Sequence, residues 1–111
     1  MEKKALQVVT SKIVNTDLVD IHNYGAGTFG MKYADFFIAE IYEEIAKLSF
    51  LYEIHPECRQ LTTKSKKYRN IILGAYLIIY RHTPERVEVL RAIHGSRSKS
   101  YIRTSRSVIV K

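Results

Sequence analysis

Residues 75–93 read AYLIIYRHTPERVEVLRAI, and they contain two of the three short β-type runs that follow residue 65. The first part of this stretch is apolar on both faces of an extended chain, which is typical of a strand at the centre of a sheet. Thr-Pro-Glu at 83–85 interrupts the run, and proline fixes φ at a value that suits a tight turn. Val87, Val89 and Ile93 then alternate with Glu88 and Ala92. The stretch therefore predicts a hairpin of strands 75–82 and 86–93.

Upstream of this hairpin, the sequence predicts a strand and a long helix. Residues 68–73 form another β-type run, and Gly74 allows a turn after it. Residues 31–52 have apolar side chains at three- and four-residue spacings, which predicts an amphipathic helix. The apolar positions of that helix are Ala34, Phe37, Ile38, Ile41, Ile45 and Leu48. Pro56 prevents its continuation, so residues 55–65 are expected to form a loop.

The N-terminal quarter predicts one strand and one short helix. Residues 5–14 have an extended pattern, and apolar residues recur at spacings of three from Asp17 onward. The residues expected to bound this helix are Asn15 or Thr16 at its start and Gly25 with Gly27 at its end. The order β-α-α-β-β-β predicts an α+β protein, with a helical hairpin packed on a small, mainly antiparallel sheet. Its 111 residues suit a single domain, with a core over about 5–98.

Charge is distributed unevenly along the chain. Residues 1–58 contain five Lys/Arg and nine Asp/Glu, whereas residues 59–111 contain thirteen Lys/Arg and two Asp/Glu. A basic half attracts nucleic acid, an acidic protein segment or a membrane surface. The basic C-terminal tail, 99–111, belongs to a serine-rich segment, 96–111, that we expect to be loosely held without a partner.

Several kinds of site are disfavoured by the sequence. With Cys58 as the only cysteine, no intrachain disulfide can form, and a packing role is expected for it. The histidines lack metal-ligand spacing and no glycine-rich phosphate loop is present, so neither a metal nor a cofactor is expected. The longest apolar run, 71–80, is too short to span a bilayer. The single cysteine favours the cytosol, and polar residues interrupt the apolar region that a signal peptide needs after Lys3 and Lys4, so we expect a cytoplasmic protein without membrane attachment.

Basic and aromatic residues lie near or beyond the ends of the last two predicted strands. They are Arg81, Arg91, Arg97, Lys99, Tyr101 and Arg103. Cations neutralise phosphate and a tyrosine can stack on a base or transfer a proton, so metal-free RNA binding or cleavage is one hypothesis. Binding of an acidic partner peptide is the other, and composition does not separate them.

The hydrophobic-Tyr-Arg strand 76–81 and the ending Leu-Arg-x-hydrophobic-His-Gly-x-Arg at 90–97 resemble the RelE/ParE superfamily of bacterial toxins, and the ending is typical of its ParE branch. The resemblance covers about residues 5–98. The Asp17-Leu18-x-x-Ile21 motif and the Pro-Glu-Cys-Arg loop at 56–59 also fall where that branch has similar features.

This resemblance implies a toxin held inactive in a hetero-oligomer by a cognate antitoxin, which wraps it with a helix and often an added strand. The ParE branch implies DNA gyrase as the target, without catalysis by the toxin. The RelE branch implies a ribosome-dependent mRNA endonuclease instead. A third alternative is a degenerate member that keeps the fold and antitoxin binding but has lost toxicity. The RelE branch commonly has an arginine where this chain has Leu77, although Arg97 matches an arginine of some nucleases and Tyr101 lies near their terminal tyrosine.

Two sets of site residues follow from these alternatives. An endoribonuclease would use Arg81, Arg97, Lys99 and Tyr101, whereas a gyrase inhibitor has no catalytic residue. The candidates for contact with the target or the antitoxin are Arg81, Arg91, His94, Arg97 and Arg103. The ParE alternative is favoured by the His-Gly-Ser-Arg segment at 94–97 and by Leu77, which cannot supply the charge that the nuclease position requires.

Overall fold

A computed structural model describes residues 4–111 and shows four strands in one sheet with a helical hairpin on one face. The elements are β1 (Gln7–Thr10), α1 (Lys12–Phe29), α2 (Met31–Leu51), β2 (Tyr68–Leu73), β3 (Tyr76–His82), β4 (Arg86–His94) and α3 (Lys99–Arg103). Short 3-10 turns cover Arg59–Leu61 and Thr104–Ser107. The predicted α+β class and the order β-α-α-β-β-β are confirmed.

The sheet has the order β1-β4-β3-β2, with β3 and β4 at its centre. The β2–β3 and β3–β4 pairs are antiparallel, and only the β1–β4 pair is parallel, so the predicted mainly antiparallel sheet is confirmed. A bulge between Ile79 and Tyr80 shifts the register of β3 against β4. The sequence predicted that Val87, Val89 and Ile93 alternate with Glu88 and Ala92 along β4. In the structure both faces of this strand are covered, so Glu88 and Arg91 are buried as well.

The first helix differs from the prediction at both ends. It begins at Lys12, because the Ser11 hydroxyl accepts the N–H of Val14 at 3.3 Å and caps it. The predicted strand over 5–14 was therefore too long. Gly25 does not end the helix; it lies in its interior, with the Ala34 Cβ of α2 only 3.5 Å from where its own Cβ would be. Gly30, at φ +101°, separates the two helices.

The second helix follows the prediction closely. Ala34, Ile41, Ile45 and Leu48 are buried, as the apolar spacing indicated. Ala34 faces Gly25 of α1. The other three belong to the cluster on one sheet face, which includes Ile71, Ile78, Tyr80, Val87 and Val89. Burial raises the pKa of Tyr80, whose hydroxyl donates to the carbonyl of Tyr52 at 2.7 Å. This bond fixes the end of the hairpin to the sheet.

The tail is not loosely held, so that expectation was wrong. Ile102 and Val110 are buried on the face of the sheet opposite the helices, in a second apolar cluster with Cys58, Leu61 and Leu90. Arg86 donates to the carbonyl of Val110 at 2.8 Å. The sheet is therefore covered by the helical hairpin on one face and by the tail and the 55–65 loop on the other.

The loop before β2 is tied to the edge of the sheet. Cys58 donates its N–H to the carbonyl of Tyr68 at 2.9 Å, and the Arg69 guanidinium donates to the carbonyls of Glu53 and His55. Cys58 is fully buried, in agreement with a packing role. None of the helices within residues 4–111 combines the length and apolarity that crossing a membrane requires.

Candidate partner-binding site at the end of strand β4

A tight turn follows the last strand and positions the His-Gly-Ser-Arg segment. Gly95 donates its N–H to the carbonyl of Ala75 at 2.7 Å, and a Cβ at Gly95 would lie 3.2 Å from that oxygen. Any side chain would press on this backbone, which accounts for glycine here. The Ser96 hydroxyl and N–H lie 2.6 and 3.1 Å from Nδ1 of His94. The turn is thus held by its own side chains.

Arg97 projects from this turn over the ring of Tyr101, at 3.7 Å from the guanidinium carbon to the ring centroid. Tyr101 belongs to α3, whose first turn is capped by the Ser98 hydroxyl. The tyrosine hydroxyl accepts a hydrogen bond from Arg91 at 2.8 Å. Since Arg97 is exposed and stacked on a ring, it is an oriented cation that can bind a carboxylate or a phosphate.

Arg91 itself is committed to an internal ion pair. Its Nε lies 2.8 Å and its terminal nitrogen 2.9 Å from the two carboxylate oxygens of Asp17 in α1. These bonds raise the pKa of Arg91 above its ordinary value. Asp17 also accepts the N–H of Ala92 at 3.0 Å. Arg91 was a candidate contact residue, and the structure places it beneath the site as the support of Tyr101.

Next to Arg97 is an open cleft of about 370 Å³. It combines aromatic and polar side chains with the cation Arg97 and with Asp20, an exposed acid of α1; the aromatic and polar members include Tyr24, Tyr76, His94, Ser96 and Tyr101. The rings of Tyr76 and His94 meet edge to face at 5.2 Å between centroids. Burial raises the pKa of Tyr76, so this phenol stays neutral near pH 7. The cleft can therefore hold an apolar or aromatic group beside an anionic one.

Arg81 lies at the other end of the sheet. It is paired with Glu88 across the β3–β4 ladder, whereas Tyr76 of the cleft is paired with His94. Arg81 is five positions beyond Tyr76 along β3, which corresponds to about 17 Å. Its Nε donates to Glu88 at 2.8 Å. Burial opposes the charge of Glu88, but the hydrogen bonds from Arg81 and Arg86 outweigh burial and lower the pKa of Glu88.

The remaining two candidates are Lys99 and Arg103 on α3. Both side chains are exposed, and neither forms an ion pair with a residue in the described range 4–111. The structure thus brings together His94, Arg97 and Tyr101, with Arg91 behind them. It does not bring Arg81 to that group.

No group of three or more His, Cys, Asp or Glu side chains within residues 4–111 is arranged to hold a metal ion. His22 is instead bonded to Asp35, at 2.7 Å between Nε2 and Oδ1, and links α1 to α2. Burial lowers the pKa of His55, whose ring meets Tyr80 edge to face.

Sequence reasoning missed Asp17, Tyr24 and Tyr76 as parts of the site. A usable signal existed for Asp17, because Val14, Asp17 and Ile21 share one face of a helix that begins at Lys12. A carboxylate among core positions usually has a buried cationic partner. Tyr24 and Tyr76 gave no such signal, since aromatic residues are common in helices and strands alike.

Comparison with known proteins places this architecture in a family. The family model described as "ParE toxin of type II toxin-antitoxin system, parDE" matches residues 8–99. A solved structure titled "Chromosomal ParDE TA system from P. aeruginosa" has a similar fold, with a TM-score of 0.66 and 15% sequence identity over 81% of this chain and 96% of that chain. No protein of curated function matches the chain at a significant level. Because the family match covers most of the sequence, this chain belongs to the ParE toxin family of type II toxin–antitoxin systems.

Proposed function

We propose that this toxin inhibits DNA gyrase and is neutralised by a cognate antitoxin. Membership of the ParE family supports the antitoxin partner, and the similar solved structure is itself that of a ParDE system. Gyrase is the target that resemblance to the ParE branch implies. A gyrase inhibitor acts in the cytoplasm, where we therefore expect the protein.

The observation that favours gyrase over messenger RNA is the separation of the nuclease candidates. A metal-free ribonuclease needs its cations and its acid–base group around one phosphate. Arg97 and Tyr101 lie together beside Tyr76 and His94, but Arg81 lies toward the opposite end of β3, about 17 Å along the strand from Tyr76. Arg81 is also engaged by Glu88. The proposed ribonuclease set therefore does not converge on one site.

Leu77 supports the same conclusion from a second position. It stands where the nuclease branch commonly has an arginine, and it pairs with Ile93 across the β3–β4 ladder. Its side chain packs partly buried against the tail-side apolar cluster. The position supplies packing and no charge.

The turn after β4 is the part of the surface that we propose contacts the target. His94 is held by Ser96, and Arg97 is held over Tyr101. A preorganised cation beside an aromatic cleft fits the composition of protein interfaces, in which arginine and tyrosine are enriched.

The antitoxin has a separate apolar surface available on the hairpin. Val19 of α1 and Tyr42 of α2 are more than half exposed and line one groove between the two helices. Amphipathic helices bind grooves of this kind. We propose that an antitoxin helix covers this groove.

Pulse labelling after induction of the toxin alone tests the function. We expect thymidine incorporation to fall before methionine incorporation, because blocked gyrase stops replication first. Co-expression of the antitoxin should restore both. An earlier fall in methionine incorporation, with cleaved ribosome-bound mRNA, would contradict the gyrase proposal and favour the RelE-like alternative.

A further inference from the structure

The fold converts the uneven charge of the sequence into two unlike surfaces. The helical hairpin contains most of the acids of the first half, and it covers one face of the sheet. The 55–65 loop and residues 96–111 cover the opposite face, and they contain seven Lys and Arg residues but only one acid, Glu57. We use the name tail face for the surface formed by Arg59, Lys67, Arg97, Lys99, Arg103 and Arg106.

These cations lie close to one another. The side chains of Lys67 and Arg106 both approach the ring of Tyr68, at 5.5 and 5.7 Å from its centroid. Arg59 begins the 3-10 turn that packs against α3, which carries Lys99 and Arg103. The tail face therefore extends from the Arg97 turn to the region of Tyr68.

The cations of the tail face have few acidic neighbours within residues 4–111, and the nearest one in the sequence, Glu57 beside Arg59, accepts the N–H of Thr63. Glu88 is one of two acids after residue 58, and Arg81 and Arg86 already bind it. The other acid, Glu85, lies exposed in the β3–β4 turn. Among the ion pairs within residues 4–111, none includes a cation of the tail face. A cluster of cations that forms no ion pairs within the protein favours binding of a polyanion.

The tail holds these cations on an ordered support. Ile102 and Val110 anchor it in the apolar cluster, and Tyr101 is bonded to Arg91. Exposed hydroxyls alternate with the cations along the tail, as at Ser100 and Thr104. Arginine, lysine and hydroxyl side chains are the groups that contact DNA phosphates.

The aromatic residues indicate which polyanion fits. Proteins that bind single strands stack bases on exposed rings. On the tail face, Tyr68 is 4% exposed and Tyr101 is covered by Arg97. An acidic protein partner usually also packs apolar side chains against an apolar part of the surface that it binds. Most of the exposed large apolar side chains of residues 4–111 lie instead on the helices and the segment that follows them. The phosphate backbone of a DNA duplex requires neither exposed aromatic rings nor an apolar surface on the protein that binds it.

We infer that the tail face binds the phosphate backbone of duplex DNA without reading its sequence. This inference rests on the proposed function, because gyrase holds a DNA duplex and a toxin at its surface would meet that DNA. The tail cations Arg103 and Arg106 lie beyond residues 8–99, the part that the family model matches. DNA contact would therefore be an addition of this chain to the family fold.

Fluorescence anisotropy with a short labelled duplex of mixed sequence tests the inference. The test variant is K99Q/R103Q/R106Q, and its control K12Q/K32Q/K47Q removes the same charge from three exposed lysines of the helical hairpin. We expect the test variant to bind at least about tenfold more weakly at low salt, and its slope of log K against log salt to shrink by about 2.7 for three lost phosphate contacts. The control variant should bind nearly as the wild type does. Circular dichroism verifies that both variants are folded.

Three outcomes would overturn the inference. They are absence of duplex binding by the wild type, equal losses in the two variants, and tighter binding of a single strand or of polyglutamate than of the duplex. Gyrase supercoiling assays with the same variants distinguish failure of the DNA-binding inference from failure of the proposed gyrase inhibition. A wild type that inhibits gyrase without binding DNA would retain the proposed function alone.

Discussion

Asp17 in α1 and Arg91 in β4 form a buried two-bond ion pair between residues 74 positions apart in the sequence. Their exposed fractions are 7% and 8%. Strand β1 covers β4 only as far as Val89, and Asp17 continues that edge by accepting the N–H of Ala92. Arg91 then supports Tyr101, on which Arg97 lies. The pair therefore couples the fold to the candidate site.

Loss of the Asp17 charge should destabilise the protein strongly. Asp17→Asn leaves the Arg91 guanidinium buried without its counter-ion, which typically costs about 3–5 kcal/mol. Urea unfolding measures the change in the free energy of unfolding. The matched control is Asp20→Asn, because Asp20 is exposed on the same helix and should change stability by less than about 0.5 kcal/mol. Equal small effects would mean that the ion pair contributes little.

The tail should be part of the folded core. Ile102 is 2% exposed in the second apolar cluster, so Ile102→Ala should cost about 2–5 kcal/mol. Ile109 is 77% exposed, and Ile109→Ala serves as the control with little expected change. Thermal unfolding of the two variants compares them directly. A tail that detaches readily in solution would give two indistinguishable melting curves.

The sequence predicted more of the fold than of the candidate site. Strands β2 to β4 and helix α2 were predicted because their apolar patterns are long and regular. The start of α1 was missed because Ile13 and Val14 are β-branched residues that favour a strand, whereas the Ser11 cap decides for a helix. At this position the apolar pattern favours a strand and the Ser11 cap favours a helix, and the structure contains the helix.

The tail and the ion pair were beyond sequence reasoning for different reasons. Ile102 and Val110 are separated by serines and arginines, so no period marks them as buried. The position of Asp17 among core residues indicates a cationic partner, but one sequence does not identify Arg91, 74 positions away, as that partner. By contrast, the His-Gly-Ser-Arg turn was identified through the resemblance, and its contact with Tyr101 required the structure.

Acid should weaken the protein through Glu88. Its pKa is lowered in the folded state, so its stabilising contribution is complete above the ordinary value of 4.5 and is lost as the pH falls through the folded pKa. The free energy of unfolding should thus decrease from pH 6 toward pH 3. The variant Glu88→Gln cannot lose this contribution and should show a shallower decrease. Parallel curves for the two proteins would show that Glu88 does not govern acid stability.

Cys58 should be protected from thiol reagents. The side chain is fully buried, and burial raises the pKa of its thiol, so little thiolate is exposed to react. We expect labelling by a disulfide reagent to be at least about a hundredfold slower in the native protein than in urea, since reaction requires local opening. Absorbance of the released thiolate follows both rates. Rapid labelling of the folded protein would contradict the packing of the 55–65 loop.

The most direct test of the account is a supercoiling assay with purified gyrase and purified toxin. We predict that the wild-type protein inhibits supercoiling and that Arg97→Ala needs at least about a tenfold higher concentration, as expected for loss of a central arginine contact. Lys32→Ala, which removes an exposed cation from the hairpin, should inhibit as the wild type does. Undiminished inhibition by a folded Arg97→Ala variant would contradict the placement of the site, and absence of inhibition by the wild type would contradict the gyrase function.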